Sequence, residues 1–358
     1  MRFVYASPPQ RIVFGAGRLA DLGAELAQLG AHRALIVCTP RGRVQAEHVE
    51  ADADGRCAGI FDGAVMHVPI ETARDARAAA ARLGADSLVA IGGGSTIGVA
   101  KAIALERALP ILAIPTTYSG SEATSVVGIT EAGLKTTRKD ARVLPKTVIY
   151  DPALTLALPL QVSVPSGINA IAHAAEALYS ADANPITDLM AREGIAAIAR
   201  SLPRLRPWNA GDQGADAVSA REDALYGAWL CGTVLGQVGM GLHHKLCHTL
   251  GGSFNLPHAQ THTVVLPHAL AFNAGAAPQA MQRIARAIGA DQAAAGLFDL
   301  AKSLGAPTSL AQLGMREADL DRACELAMRD RYPNPRAIDA RAIRLLLQDA
   351  YEGRRPGA

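Results

Sequence analysis

The rhythm of apolar and polar positions changes once along this chain. Up to Tyr150, short unbroken apolar runs alternate with stretches in which apolar residues recur every three or four positions. The runs at 11–14, 34–38, 87–91, 111–114 and 147–150 lack a polar face, which predicts parallel strands covered on both sides. The stretches at 19–29, 72–83 and 96–105 predict helices, and the alternation predicts a doubly wound α/β domain. Beyond Pro152 the strand signal fades. Helices are predicted over 166–180, 185–201, 219–250, 278–288, 292–303, 316–328 and 337–350. A chain of 358 residues exceeds what one hydrophobic core usually organises. The division expected is an α/β domain over 1–158 and an all-α domain over 159–358.

Charge and cysteine usage narrow the partners. Lys+Arg 35 against Asp+Glu 33 leaves +2 with no basic block, so neither nucleic acid nor a membrane surface is expected. Five scattered cysteines without a CxxC pair argue against a disulfide framework or a cysteine zinc site, and for a reducing cytoplasm. The first residues show no signal-peptide pattern, and the most apolar segment, 228–242, is too short for a membrane span and holds Gln237.

Two glycine clusters compete for a nucleotide. Gly15, Gly17 and Ala20 match a G-x-G-x-x-A fingerprint, but the following strand ends at Cys38 and Thr39, without the carboxylate that would hold a ribose. A simple turn is the better reading there. Gly92, Gly93, Gly94, Ser95 and Thr96 join a buried strand directly to a helix. Backbone N–H groups can approach a pyrophosphate at such a turn, with Ser95 or Thr96 capping the helix. Thr116, Thr117, Ser119 and Ser121 form a second hydroxyl-rich turn after the next strand. Together they predict a dinucleotide site. Thr39, with Arg41 and Arg43 nearby, offers no repulsion to a 2′-phosphate, so NADH and NADPH are both expected to serve.

Histidines provide the second constellation. Asn169 and His173 lie four residues apart, as do His244 and His248, so each pair shares a helix face. His258 follows, read as a loop residue. Such a set can converge on one point for metal or proton-transfer chemistry. His32, His67, His262 and His268 read as ordinary core or surface histidines.

Along nearly its whole length the chain resembles the iron-containing alcohol dehydrogenase superfamily, through residues 92–95, 115–121, 151–152, 167–176 and 244–258. The resemblance implies a dehydroquinate synthase-like fold and an NAD(P) cofactor. It places Asn169, His173, His244 and His258 at the metal-ligand positions, His248 at a proton relay and Lys135 at the cofactor. It also implies a homodimer. Two positions depart from the pattern: Asn169 replaces the ligand aspartate, and Gly98 stands where an aspartate usually follows the glycine turn. These departures resemble the maleylacetate reductase branch, which reduces a conjugated carbon–carbon double bond to give 3-oxoadipate in aromatic-compound degradation.

An amide in place of a carboxylate removes the one negative charge offered to a divalent cation. A metal is therefore not expected to be required. Hydride addition to an alkene conjugated to a ketone needs N–H donors more than a Lewis acid. His173, His244, His248, His258 and Asn169 are the expected machinery. Lys245, Tyr118 and an arginine within 329–336 are expected to hold the carboxylates of a small dicarboxylate substrate. The alternative is a metal-dependent alcohol or lactaldehyde dehydrogenase that tolerates Asn169 as a ligand.

Overall fold

The structure is a computed structural model that describes residues 2–7, 9–131, 134–207, 214–329 and 332–357, with the side chains of Leu134 and Lys135 outside that description. Its chain forms two compact units. One comprises 6–158 and 208–225. The other comprises 1–5, 159–207 and 226–358. Among the described residues no helix is long and apolar enough to cross a membrane.

The first unit is built on strands β1 (Arg11–Phe14), β2 (Ala34–Val37), β3 (Cys57–Phe61), β4 (Ser87–Gly92) and β5 (Ile111–Pro115), followed by β6 (Val126–Glu131), β7 (Leu134–Lys139) and β8 (Thr147–Tyr150). Six of them form a parallel sheet in the order β1-β8-β5-β4-β2-β3, and β6 pairs antiparallel with β7. Helices α1 (Leu22–Gln28), α2 (Arg43–Ala51), α3 (Ile70–Arg82) and α4 (Gly94–Arg107) cover the sheet. Strand alternation divides the apolar residues between two cores. Leu88 and Ala90 join one with α3 and α4, while Val89 and Ile91 join the other with α1 and α2. Both faces are covered, which is why these strands carry no polar face.

Connections leave β2 toward β3 and leave β4 toward β5, in opposite directions across the sheet. A crevice opens between the carboxyl ends of two such strands, and that is where doubly wound sheets bind ligands. Thr39 follows β2 and Gly93 follows β4, so the order of strands brings both to this switch point.

The second unit is helical: α5 (Leu160–Ala177), α6 (Pro185–Ser201), the end of α7 (Ala215–Gln237), α8 (Leu242–Phe254) and α9 (His258–Asn273), then α10 (Pro278–Ile288), α11 (Ala293–Ser303), α12 (Leu320–Met328) and α13 (Ala340–Glu352). Helix α5 is buried without interruption from Ser163 to Ala177. A core of Leu246, Leu250, Val265, Leu320, Ile343 and Leu347 holds α8, α9, α12 and α13 together.

Several expectations are corrected. The span 219–250 is two helices, because Gly239 and Gly241 interrupt it and α8 restarts after Gly241. Helix α9, read as a loop at His258, carries buried residues on every face and so lacks the polar stripe that reveals a surface helix. The α2 helix, β3 and the β6–β7 hairpin fall in stretches without a strong period.

Candidate active site

The nucleotide turns come first. Helix α4 begins at Gly94, with Gly93 as its N-cap and no side-chain cap, so Ser95 and Thr96 lie inside the first turn and do not cap it. Gly92 has φ +145°, a conformation that favours glycine, and a Cβ there would stand 2.5 Å from Thr96 Oγ1. A Cβ on Gly93 would meet Thr117 at 3.0 Å, and one on Gly94 would meet Ser119 at 3.4 Å. The Thr116 N–H donates to the Gly92 carbonyl at 3.0 Å. The two turns are therefore one surface. Its backbone is open only because the glycines carry no side chain, and buried Thr96 Oγ1 has no partner. This cradle, at the start of a 14-residue helix, fits a dinucleotide pyrophosphate.

The rival fingerprint is closed. The N–H groups of Gly17 and Leu19 donate to Asp151 Oδ1 and Oδ2 at 3.1 and 3.0 Å, so the amides that would face a phosphate hold a carboxylate of the protein. Thr39 caps a short turn by accepting from the Gly42 N–H at 3.2 Å. Ser121 contributes its carbonyl to buried Lys101, whose ammonium also reaches Thr124 and the Val126 carbonyl at 2.7–2.9 Å. Lys101 thus ties down the end of the hydroxyl turn. Burial pulls its pKa down to about 7, against the pull of neighbouring Glu122. Lys135 lies on β7 opposite Thr130, and its side chain falls outside the described residues.

The histidine cluster lies in the helical unit. His173 and Asn169 project from α5, His244 from the first turn of α8, and Glu176 from one turn beyond His173. His173 Nδ1 lies 2.8 Å from His244 Nε2, His244 Nδ1 lies 2.6 Å from Glu176 Oε2, and Asn169 Nδ2 lies 3.3 Å from His173 Nε2. Glu176 also accepts from the backbone N–H groups of Gly241 and His243 at 3.0 and 2.8 Å. These are unsatisfied donors of the α8 N-terminus, so one buried carboxylate caps a helix and grips a histidine together.

The structure gathers more rings than the spacing suggested. His262, read as an ordinary core residue, is fully buried with centroids of His258, His243, His244 and His173 at 4.3–6.1 Å. Its four-residue spacing from His258 is the signal in the sequence, and it carries weight only once α9 is known to be a helix, which its all-round burial conceals. His243 donates through Nε2 toward the His262 carbonyl at 3.2 Å. His258 is half-buried at the start of α9. His248 is exposed, its ring 6.1 Å from that of His244. Burial pulls the pKa of His243 and His244 down to about 3 and that of His262 well below its ordinary value, so these rings are neutral at neutral pH.

Whether these donors fit the divalent metal that the resemblance implies follows from their bonds. His173 turns one nitrogen to His244 and the other to Asn169, and Glu176 is committed to His244 and to backbone amides. Among the described residues, the ring nitrogens of His243, His244 and His262 lie within 4.8 Å of one another, and burial keeps all three neutral, the form in which imidazole binds a metal. Three neutral imidazoles are a donor set that a divalent ion accepts, so His243, His244 and His262 could hold one, without the carboxylate charge that an aspartate at 169 would add.

Of the residues expected to hold substrate carboxylates, Tyr118 is placed elsewhere. It is fully buried, and its hydroxyl accepts from Arg221 Nη1 at 2.8 Å. Arg221, itself 2% exposed, also binds the Leu158 carbonyl, and nothing in its helical surroundings in the sequence marks it. Lys245 is half-buried beside His244 on α8. Arg331 falls outside the described residues. Arg336 lies 4.2 Å over the Phe272 ring, on a groove of about 450 Å³ whose lining includes none of the clustered histidines.

The chain is similar to known proteins along its length. The model of the iron-containing alcohol dehydrogenase family matches residues 9–152, and that of the Fe-containing alcohol dehydrogenase family, C-terminal, matches 163–351. A maleylacetate reductase from Burkholderia cepacia is 58% identical over 99% of both chains, and one from Pseudomonas sp. (strain P51) is 56% identical over 99% of both. The crystal structure of maleylacetate reductase from Agrobacterium tumefaciens is 51% identical, with a TM-score of 0.92 over 99% of this chain and 100% of that one.

Proposed function

The chain belongs to the iron-containing alcohol dehydrogenase family, and we propose that it reduces the carbon–carbon double bond of maleylacetate to 3-oxoadipate with NADH or NADPH. The observation that carries this reading is the chain of hydrogen bonds from Asn169 through His173 and His244 to Glu176. It runs from an amide to a buried carboxylate already bonded to His244, in a chain more than half identical to reductases of that name.

A nicotinamide cofactor held at the glycine turn would supply a hydride, which the alkene carbon remote from the ketone accepts. The electron pair moves onto the ketone oxygen as an enolate, and a proton then returns to the carbon beside the ketone. An N–H donor stabilises such an enolate in a site that excludes water. His244 and His173 are bonded to each other, so they support the site from within. The more accessible rings, His258 and His248, would polarise the ketone and exchange the proton. Gly92, Gly93, Gly94, Ser95, Thr96, Thr116, Thr117, Ser119 and Ser121 would hold the cofactor, with Thr39 and Lys135 at its edges. Lys245, next to His244 on α8, would attract a dianionic substrate. No step requires a metal. The enzyme acts as a homodimer in the cytoplasm on this reading, with the α/β domain ending near 158.

The test follows NADH oxidation with maleylacetate, with and without chelator. One NADH consumed per substrate, at a rate the chelator leaves unchanged, is expected. Activity confined to simple alcohols and abolished by chelation would favour the metal-dependent alternative instead.

A further inference from the structure

The bonds around Glu176 decide more than the grip on one ring. Both of its oxygens face N–H groups: Oε1 takes the His243 N–H, and Oε2 takes the Gly241 N–H and His244 Nδ1. A carboxylate so surrounded only accepts, so His244 carries its proton on Nδ1 and presents a lone pair at Nε2. That lone pair accepts from His173 Nδ1 at 2.8 Å, which leaves the second lone pair of the system on His173 Nε2. The group facing that atom must donate. Asn169 does so with Nδ2, and its Oδ1 is the atom left buried without a partner. An aspartate at 169 could not close the chain in this direction.

We propose that Glu176 is a positioning residue of the reduction, holding His244 as the Nδ1–H tautomer and thereby setting the direction of every hydrogen bond out to Asn169. With that direction set, neither His244 nor His173 has a spare N–H, and delivery of the proton falls to the accessible rings. The site is also built for the carboxylate. A Cβ on Gly241 would stand 3.2 Å from Glu176 Oε1 and 3.0 Å from the Pro333 carbonyl, so a side chain there would have to push the carboxylate or the carbonyl back by a few tenths of an ångström. Glutamine at 176 would keep the shape and put an N–H₂ where one oxygen stands. His244 could then accept at Nδ1, donate at Nε2, and reverse the chain against His173.

The kinetic consequence rests on the function proposed above, whereas the tautomer does not. The experiment records the ring ¹⁵N–¹H correlations of histidine-labelled protein, with His244 assigned by the signal lost in His244→Asn, alongside kinetics with NADH and maleylacetate. The wild-type protein should show His244 protonated at Nδ1 alone. Glu176→Gln should shift it to Nε2 or to a mixture and lower kcat by about 100-fold or more, with KM for NADH changed by less than about threefold. A wild-type His244 protonated at Nε2 overturns the proposal, and this measurement decides even if the variant does not fold. So does a folded Glu176→Gln enzyme whose tautomer or kcat matches wild type. A wild-type protein inactive on maleylacetate, with His244 still protonated at Nδ1, overturns the functional reading and leaves the tautomer assignment standing.

Discussion

Each unit buries a polar cluster, and the two are satisfied differently. In the α/β unit, the Lys101 ammonium is fully enclosed and bonds to three backbone carbonyls and the Thr124 hydroxyl at 2.6–2.9 Å. Three of those four partners belong to the main chain, and none of the four titrates. In the helical unit, His173, His244, Asn169 and Glu176 bond to one another, side chain to side chain. Each imidazole there has a second tautomer within reach. The first cluster can only be made or broken, while the second can also be rearranged. A buried polar group bonded to backbone anchors a loop; one bonded to other titratable side chains is equipped for proton chemistry.

The largest expected effect lies in the rearrangeable cluster. His244→Ala should lower kcat of the folded protein by about 10²–10⁴-fold, with cofactor binding by fluorescence titration close to wild type and a loss of about 2–4 kcal/mol in urea denaturation from the cavity and the unpartnered Glu176. A variant that kept most of its activity would remove the histidines from the chemistry. Lys101→Met should act on stability alone. It strands three carbonyls and leaves Glu122 without its cation, so urea denaturation should register a loss of about 3–5 kcal/mol. The folded fraction should keep kcat within about threefold, and a selective loss of kcat without destabilisation would erase the contrast between the clusters.

Between these extremes stands Gly92→Ala. Its Cβ meets Thr96 Oγ1 at 2.5 Å in a backbone conformation that alanine rarely adopts. About 1–3 kcal/mol of destabilisation and a roughly tenfold rise in KM for NADH are expected. Unchanged KM would move the pyrophosphate away from this turn. The smallest change in activity is expected of Asn169→Asp, about tenfold at most. It exchanges the donor facing His173 Nε2 for a negative charge that a cation can use. Metal analysis after dialysis against zinc should find more bound metal in this variant than in wild type, and equal contents would show that Asn169 is not what weakens the site.

The same comparison explains what could be read from the residues alone. The apolar runs of β1, β2, β4, β5 and β8 lie within a residue of their structural bounds, because a strand covered on both faces has no polar position to blur its ends. Helices α6 and α10 coincide with their periodic stretches for a related reason: Pro185 and Pro278 start them, and α6 carries an Asn184 capping box. Burial all round removes the amphipathic period of helix α9 and conceals His262 with it. The rejection of Gly15–Gly17 as a phosphate turn needed only a missing carboxylate at Thr39. Its occupation by Asp151, 134 residues away from Gly17, could be seen only in the fold.

Sequence by itself determined where strands alternate with helices and which chemical groups each stretch holds, since periodicity, glycine turns and the four-residue spacings of Asn169 with His173 and His244 with His248 are local properties. Tertiary structure alone decided their states. It brought the glycine turn against Thr117 and Ser119 and committed Tyr118 to Arg221. It also placed Glu176, from α5, under the first turn of α8. The protonation pattern of the histidines follows from that last contact, because a tautomer is set by the partner a ring meets in space, and spacing along the chain carries no information about it.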